Sequence, residues 1–280
     1  MKAKRAFAGR ARDLPCGLKI QIGFAIAVLF TSTVQCFAAQ DLALPDACNG
    51  PQASRLEIAG VDISRDGAIV TGTGEIYLQA DILAGGRFSG AEISEGGEFA
   101  PYMFHWKAKR TDRWERKLGD LVELESGAWL AAKLVASGAA LVDPRTSTVD
   151  CLTPLLALEG KARAGRKGLW RRFSVLPASD PDAISRMVGH FALVEGRVVS
   201  VGRTRRTHYL NFGYRWSRDF TATIDVGRET AFDAAGVDIA ALEGQRVRLR
   251  GFVTLDRGPL LVLDHPAQLE QLTSGSDVGK

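Results

Sequence analysis

Residues 151 to 170 read CLTPLLALEGKARAGRKGLW. Leu152, Leu155, Leu156 and Leu158 recur at helical spacing and Ala162 continues their face, so the stretch predicts an amphipathic helix. Pro154 suits a first helical turn, and Gly168 sits where helices commonly stop. The apolar run gives way to Lys161, Arg163, Arg166, Lys167, Arg171 and Arg172, closed by Leu169 and Trp170. Such an end has two readings: the basic rim of a nucleic-acid site, or a solvated terminus anchored by its tryptophan. The anchor is the first expectation, with Trp170 packed on a barrel and its arginines wet; the rim is the second.

Upstream, SGAWLAAKLVASGAALVDP (126 to 144) has the Ala/Leu character of a helix ended by Gly138, followed by a short extended AALV. Residues 55 to 84 alternate in short stretches between Gly and Asp turns and predict three short strands, with GTGE as the turn between the last two. Downstream, FSVLPASDPDA (173 to 183) has the Pro, Ser and Asp content of a linker. Beyond it GHFALVEGRVVSVGRTRRTHYLNFG (189 to 213) predicts a long strand, a basic turn and a second strand, and DFTATID a third. A helical or loop-like ETAFDAAGVDIAALEG, which Gly244 caps, leads to two more strands around an Asp-Arg-Gly-Pro turn, and HPAQLEQL closes the set. Five strands with a helical element between the third and fourth is the order of an OB-fold, a partly open barrel that binds oligonucleotides and oligosaccharides.

The first forty residues differ from the rest. Lys2, Lys4, Arg5, Arg10, Arg12 and Lys19 precede IQIGFAIAVLF, and small residues follow in CFAAQ. This predicts a secretory signal peptide over residues 1 to 38, cleaved after Ala38 or Ala39, and an exported, periplasmic or secreted protein. An uncleaved anchor or a lipid on Cys36 is the rival reading, and the apolar run is short for a membrane span. Residues 1 to 38 carry a net charge of +5 against +4 for the whole chain, which leaves the remainder at −1. The high isoelectric point is therefore no argument for nucleic acid, but the distribution is polarised. Residues 39 to 100 hold ten acids and three arginines, whereas residues 161 to 218 hold thirteen cations and three acids.

After export Cys48 and Cys151 remain, and in an oxidising compartment a disulfide is their simplest state; two buried free thiols is the alternative. A loop of about a hundred residues closed in this way is worth roughly 4–5 kcal/mol in the chain-entropy picture. His105, His190, His208 and His265 are far apart in sequence and there is no Cys-x-x-Cys, so no zinc site is expected.

LVASGAALV, then Cys151, then LLALEGKARAGRKGLW resembles the C-terminal half of the staphylococcal-nuclease-like, or thermonuclease, family. Glu159, Ala162, Arg163, Gly168, Leu169 and Trp170 fall on that family's helix pattern. The resemblance covers residues 55 to 172 and implies a mainly β fold with α (α+β), an OB barrel with helices over residues 48 to 172. A linker (173 to 187), a second OB-like barrel (188 to 272) similar to the extra domain of some bacterial relatives, and a tail (273 to 280) complete the expected organisation.

The family's nucleases hold Ca2+ on two carboxylates, orient water with a glutamate and stabilise the phosphate with two arginines. Here SRDGAIV keeps Asp66 but puts Ala68 at the second carboxylate; EIYLQADILAGG puts Tyr77 near the first arginine, and no Pro-Glu pair follows. Asp81 is the candidate second metal ligand beside Asp66, and TDRWERKLGD offers Arg113 and Arg116, the latter at the second arginine position. With a ligand, an arginine and the base missing, the resemblance implies a degenerate nuclease. The alternative is an active Ca2+-dependent phosphodiesterase with an altered site.

The better binding surface lies in GRTRRTHYLNFGYRWSRDF. Arg203, Arg205, Arg206, Arg215 and Arg218 interleave with Tyr209, Phe212, Tyr214 and Trp216. Cations that track a backbone and aromatics on which bases stack suit single-stranded nucleic acid or another polyanion, and an envelope protein is the other partner considered. Strand alternation puts Tyr209 and Asn211 on one face, Leu210 and Phe212 on the other.

Overall fold

Among the described residues the strands gather into two large sheets and one two-stranded ladder. The computed structural model describes residues 42–48, 55–58, 62–63, 68–70, 74–84, 102–107, 111, 115–215 and 217–272. The fold is mixed α+β and mostly sheet, and the described residues cluster as one compact unit. Among the described residues no helix is long and apolar enough to cross a membrane.

The first sheet contains β1 (Arg55–Ile58), β2 (Asp62–Ile63), β3 (Ala68–Val70), β4 (Ile76–Gln79), β6 (Tyr102–Trp106) and β7 (Lys117–Glu123). Its order is β1-β6-β7-β4-β3-β2, antiparallel except for the β4–β7 pair. A small ladder joins β5 (Ile82–Ala84) to β8 (Ala140–Val142). Tyr77, Phe104 and Leu121 fill this lobe's interior together with Leu130 of α1 (Leu130–Ser137). As expected from the sequence, Gly138 ends α1 in the left-handed region at φ 76° and an extended segment follows.

The helix of residues 151 to 170 is longer at its start and shorter at its end than the sequence predicts. α2 spans Val149–Ala164; Thr148 caps it by accepting from the Cys151 amide at 3.3 Å, and Asp150 favours its first turn. Pro154 therefore lies beyond the first turn, where its ring removes one backbone bond. Gly168 is not the stop. Arg166 takes the left-handed position at φ 48°, and the amides of Arg166 and Lys167 bond back to the carbonyls of Arg163 and Ala162, a Schellman-type end. Gly168–Arg171 then forms a separate 3-10 turn.

The expected linker carries β9 (Leu176–Pro177) and α3 (Pro181–Ser185), with Ile184 wholly buried. The second sheet then follows: β10 (Phe191–Arg197), β11 (Ser200–Arg203), β12 (Thr207–Asn211), β13 (Thr221–Asp225), β14 (Arg246–Asp256), β15 (Gly258–Val262) and β16 (Leu269–Gln271). The expected first long strand is broken at Val198 and Val199 into β10 and β11. α4 (Glu229–Ala234) stands between β13 and β14, and Gly244 turns the chain at φ 76°. The order is β11-β12-β13-β15-β14-β10-β9, with β16 on β14 and a parallel β13–β15 pair. Leu210, Phe220, Ile224, Phe232, Leu249 and Leu261 are among its core.

The two lobes share one interior. Leu83, Leu141, Ala162, Leu169 and Trp170 pack with Phe191 and Leu193 in a single cluster. Across the same boundary Arg250 Nη1 lies 2.8 Å from Glu159 Oε2 and donates to the Val142 carbonyl at 3.1 Å. His265 Nε2 meets the Ser147 carbonyl at 2.8 Å.

Candidate functional site

Of the residues to which the family resemblance would give catalytic roles, Asp81 and Arg116 are described. Asp81 sits in a turn at φ 55° after β4 and is buried. Its Oδ1 accepts from the amides of Arg145 (2.6 Å) and Thr146 (2.7 Å), and its Oδ2 accepts from Thr146 Oγ1 (2.8 Å) and the Ser147 amide (3.1 Å). A carboxylate has about four lone-pair directions, and four donors of one loop meet them. As placed, Asp81 fastens residues 145 to 147, the approach to α2, and does not fit a calcium ligand. Among the described residues no group of three His, Cys, Asp or Glu side chains is arranged to hold a metal. Asp66, Arg113 and Trp216 lie outside the described residues.

Arg116 stands half-buried at the head of β7, directly after Glu115 in the left-handed conformation at φ 60°. Beside it Lys117 is opposite Tyr77 in the parallel β4–β7 register. The Lys117 ammonium pairs with the Glu75 carboxylate, contacts Tyr77 Oη at 3.2 Å and lies 4.9 Å from the Tyr77 ring centre and 5.7 Å from that of Trp106. Hydrogen bonds from Lys117 and Tyr77 hold Glu75 below its usual carboxylate range, while burial pushes the Tyr77 phenol up. These shifts go with an ion pair beside a neutral phenol.

A second polar cluster, not anticipated from the sequence, lies inside the first lobe. Asp120 accepts from Gln79 Nε2 (2.7 Å) and Trp129 Nε1 (3.1 Å) on Oδ1, and its Oδ2 faces Lys107 Nζ at 3.0 Å. Burial raises the Asp120 carboxyl to about 6 against the opposing pull of Lys107. Only the alternation of β7 signals it in sequence: Leu118, Asp120 and Val122 share a face, and a carboxylate between two aliphatics needs a buried partner.

Cys48 and Cys151 are joined by a disulfide, as expected. Leu169 and Trp170 are buried, the Arg163 guanidinium stacks 5.5 Å from the Trp170 ring centre, and Lys161, Arg166, Arg171 and Arg172 remain exposed. The tail of residues 151 to 170 is thus an anchor with a basic rim.

The arginine–aromatic segment forms one edge of the second sheet. Arg205 and Arg206 occupy the exposed turn between β11 and β12; Arg203 beside them pairs with Glu229 at 3.1 Å. Leu210 and Phe212 are core and Tyr209 and Asn211 face outward, in the predicted alternation. Tyr209 lies in a cross-strand row with Gly202, Thr223 and Val262; Ser200, Asn211, Thr221 and Leu260 form the next. These eight residues carry no charge. At the far end of β12, Tyr214 is 92% exposed, with Arg215 and Arg218 exposed beside it.

Compared with known proteins, the chain matches no family model. No curated protein sequence matches it significantly.

Proposed function

We propose that this chain is an exported, catalytically reduced relative of the thermonucleases that binds a polyanion, single-stranded nucleic acid foremost, on the outer face of its second sheet. Both strand paths support two OB-type barrels. If β1 with β2, and β10 with β11, are taken as halves of one first strand, each path reads 1-2-3-5-4-1 with strands 3 and 5 parallel. The observation that carries the binding reading is the uncharged outer face around Tyr209, bounded by Arg205 and Arg206 at one end of β12 and by Arg215 and Arg218 at the other. Five residues of strand span about 17 Å, suited to a short tract near the lower site size of about four nucleotides. Gly202 leaves the space next to Tyr209 open: a Cβ built there would meet only the Tyr209 Cβ, at 3.7 Å.

Fluorescence anisotropy of a labelled oligo-dT against rising salt tests this. Single-strand binding loses affinity with a slope of about −0.7 per phosphate contact, so Arg205→Ala/Arg206→Ala should flatten the slope by about 1.4. Tyr209→Ala should weaken binding by roughly 1–3 kcal/mol with the slope unchanged. Absence of binding at low salt sinks the reading. The same strand incubated with calcium or with chelator should stay uncut; calcium-dependent cleavage that disappears in Arg116→Ala would instead establish a rebuilt nuclease site.

A further inference from the structure

The segment Leu42–Cys48 crosses the first lobe as a strap. The Leu42 carbonyl accepts from the Trp129 amide at 2.7 Å, Ala43 bridges Ala128, and Leu42 and Leu44 rest half-buried on the helical core. Ala43 and Leu44 of the strap line a groove of about 320 Å³ together with Met103, His105, Val122 and Leu124 among others. The strap's last residue, Cys48, is tied to Cys151 on α2. Lys107, with a side chain only 10% exposed, aims its ammonium at this junction. Nζ lies 2.9 Å from the Cys48 carbonyl, 3.9 Å from Cys151 Sγ and 3.0 Å from Asp120 Oδ2. Besides pairing with Asp120, this ammonium stands where it would stabilise a thiolate on Cys151.

We infer that Cys48–Cys151 is a thiol–disulfide exchange site whose reduction by a dithiol protein releases the strap and leaves Cys151 as a thiolate held by Lys107. Cys48 is 4% exposed and Cys151 not at all, which makes Cys48 the sulfur to be attacked. The incoming thiolate bonds to Cys48 Sγ, the S–S bond breaks, and its electron pair departs on Cys151 Sγ facing Lys107. The second thiol of the partner then resolves the mixed disulfide and Cys48 leaves as a thiolate that takes a proton. Two electrons pass from the dithiol, which ends as a disulfide.

Dithiothreitol serves as the probe dithiol on the purified chain, with hydrogen exchange followed by mass spectrometry. Reduction should speed exchange at residues 42 to 48 about 100-fold while α2 and β14 keep their protection. In Cys48→Ser, which frees the strap without reductant, Cys151 should titrate below the ordinary thiol value of about 8.5. Adding Lys107→Met with Asp120→Asn should slow its alkylation at pH 7 about tenfold. Unchanged strap protection, loss of α2 and β14 protection in step with the strap, or a Cys151 thiol at or above its ordinary value would each overturn the inference.

Discussion

Asp120 carries charge at a cost that depends on pH. Its folded carboxyl titrates at about 6, above the ordinary 3.8, because burial disfavours the anion more than Lys107 supports it. Between those values the folded chain binds more protons than the unfolded one, so this group's contribution to stability falls as pH rises from about 4 to 6 and is constant above. Two units correspond to roughly 3 kcal/mol. Urea unfolding at pH 4, 5, 6 and 7 should show that Asp120→Asn/Lys107→Met gains on the parent by about this amount between the lowest and highest pH; parallel curves would show that Asp120 does not titrate in this window. The cluster was illegible in sequence because Gln79, Lys107, Asp120 and Trp129 come from β4, the end of β6, β7 and the cap of α1, and only the fold brings them together. Asp81 is the converse case: visible as a motif residue, but placed by the fold as the fastening of a loop.

At the level of single elements, the sequence showed which segments are helix and strand more clearly than where they end. Periodicity placed α1 and α2 but not α3, which lies in the expected linker; Gly138 marked a true stop, while the end of α2 turns on Arg166, a residue whose side chain gives no left-handed signal. Gly168 was a sound clue to a special position, though for another reason: it packs backbone to backbone on Gly138, whose carbonyl accepts from the Leu169 amide at 2.8 Å. A Cβ on Gly138 would stand 2.3 Å from the Lys167 carbonyl oxygen, and one on Gly168 2.4 Å from that of Gly138. Gly189 has a similar φ of 80° but open space around it. Gly189→Ala should therefore cost only about 1 kcal/mol, for the left-handed backbone. Gly138→Ala should cost about 3 kcal/mol, because the two turns must separate. Equal urea midpoints for the two variants would remove the close approach as an element of stability.

On the scale of the whole molecule, the boundary near residue 173 divides the sequence pattern but not the interior. Glu159 of α2 accepts from the Val142 amide at 2.8 Å and pairs with Arg250, which also reaches Glu270. Burial works against Glu270, yet Arg250 and Arg248 hold its carboxyl below the usual range. One arginine of the second lobe thus answers a carbonyl and a carboxylate of the first, a pairing 91 positions apart that no local pattern announces. Arg250→Met would leave Glu159 buried without its countercharge, and breaking such a pair costs roughly 3–5 kcal/mol. Glu159→Gln added to it retains an acceptor for Val142 and should restore a large part of that loss. Because Trp170 and Phe191 share the same cluster, both lobes should unfold in one transition, in the parent and in the double variant. Intrinsic fluorescence of the chain's five tryptophans, followed in urea beside exchange at β12 amides, checks this. Two separated transitions in the parent would mean that the lobes fold independently and that the buried pair joins two finished domains.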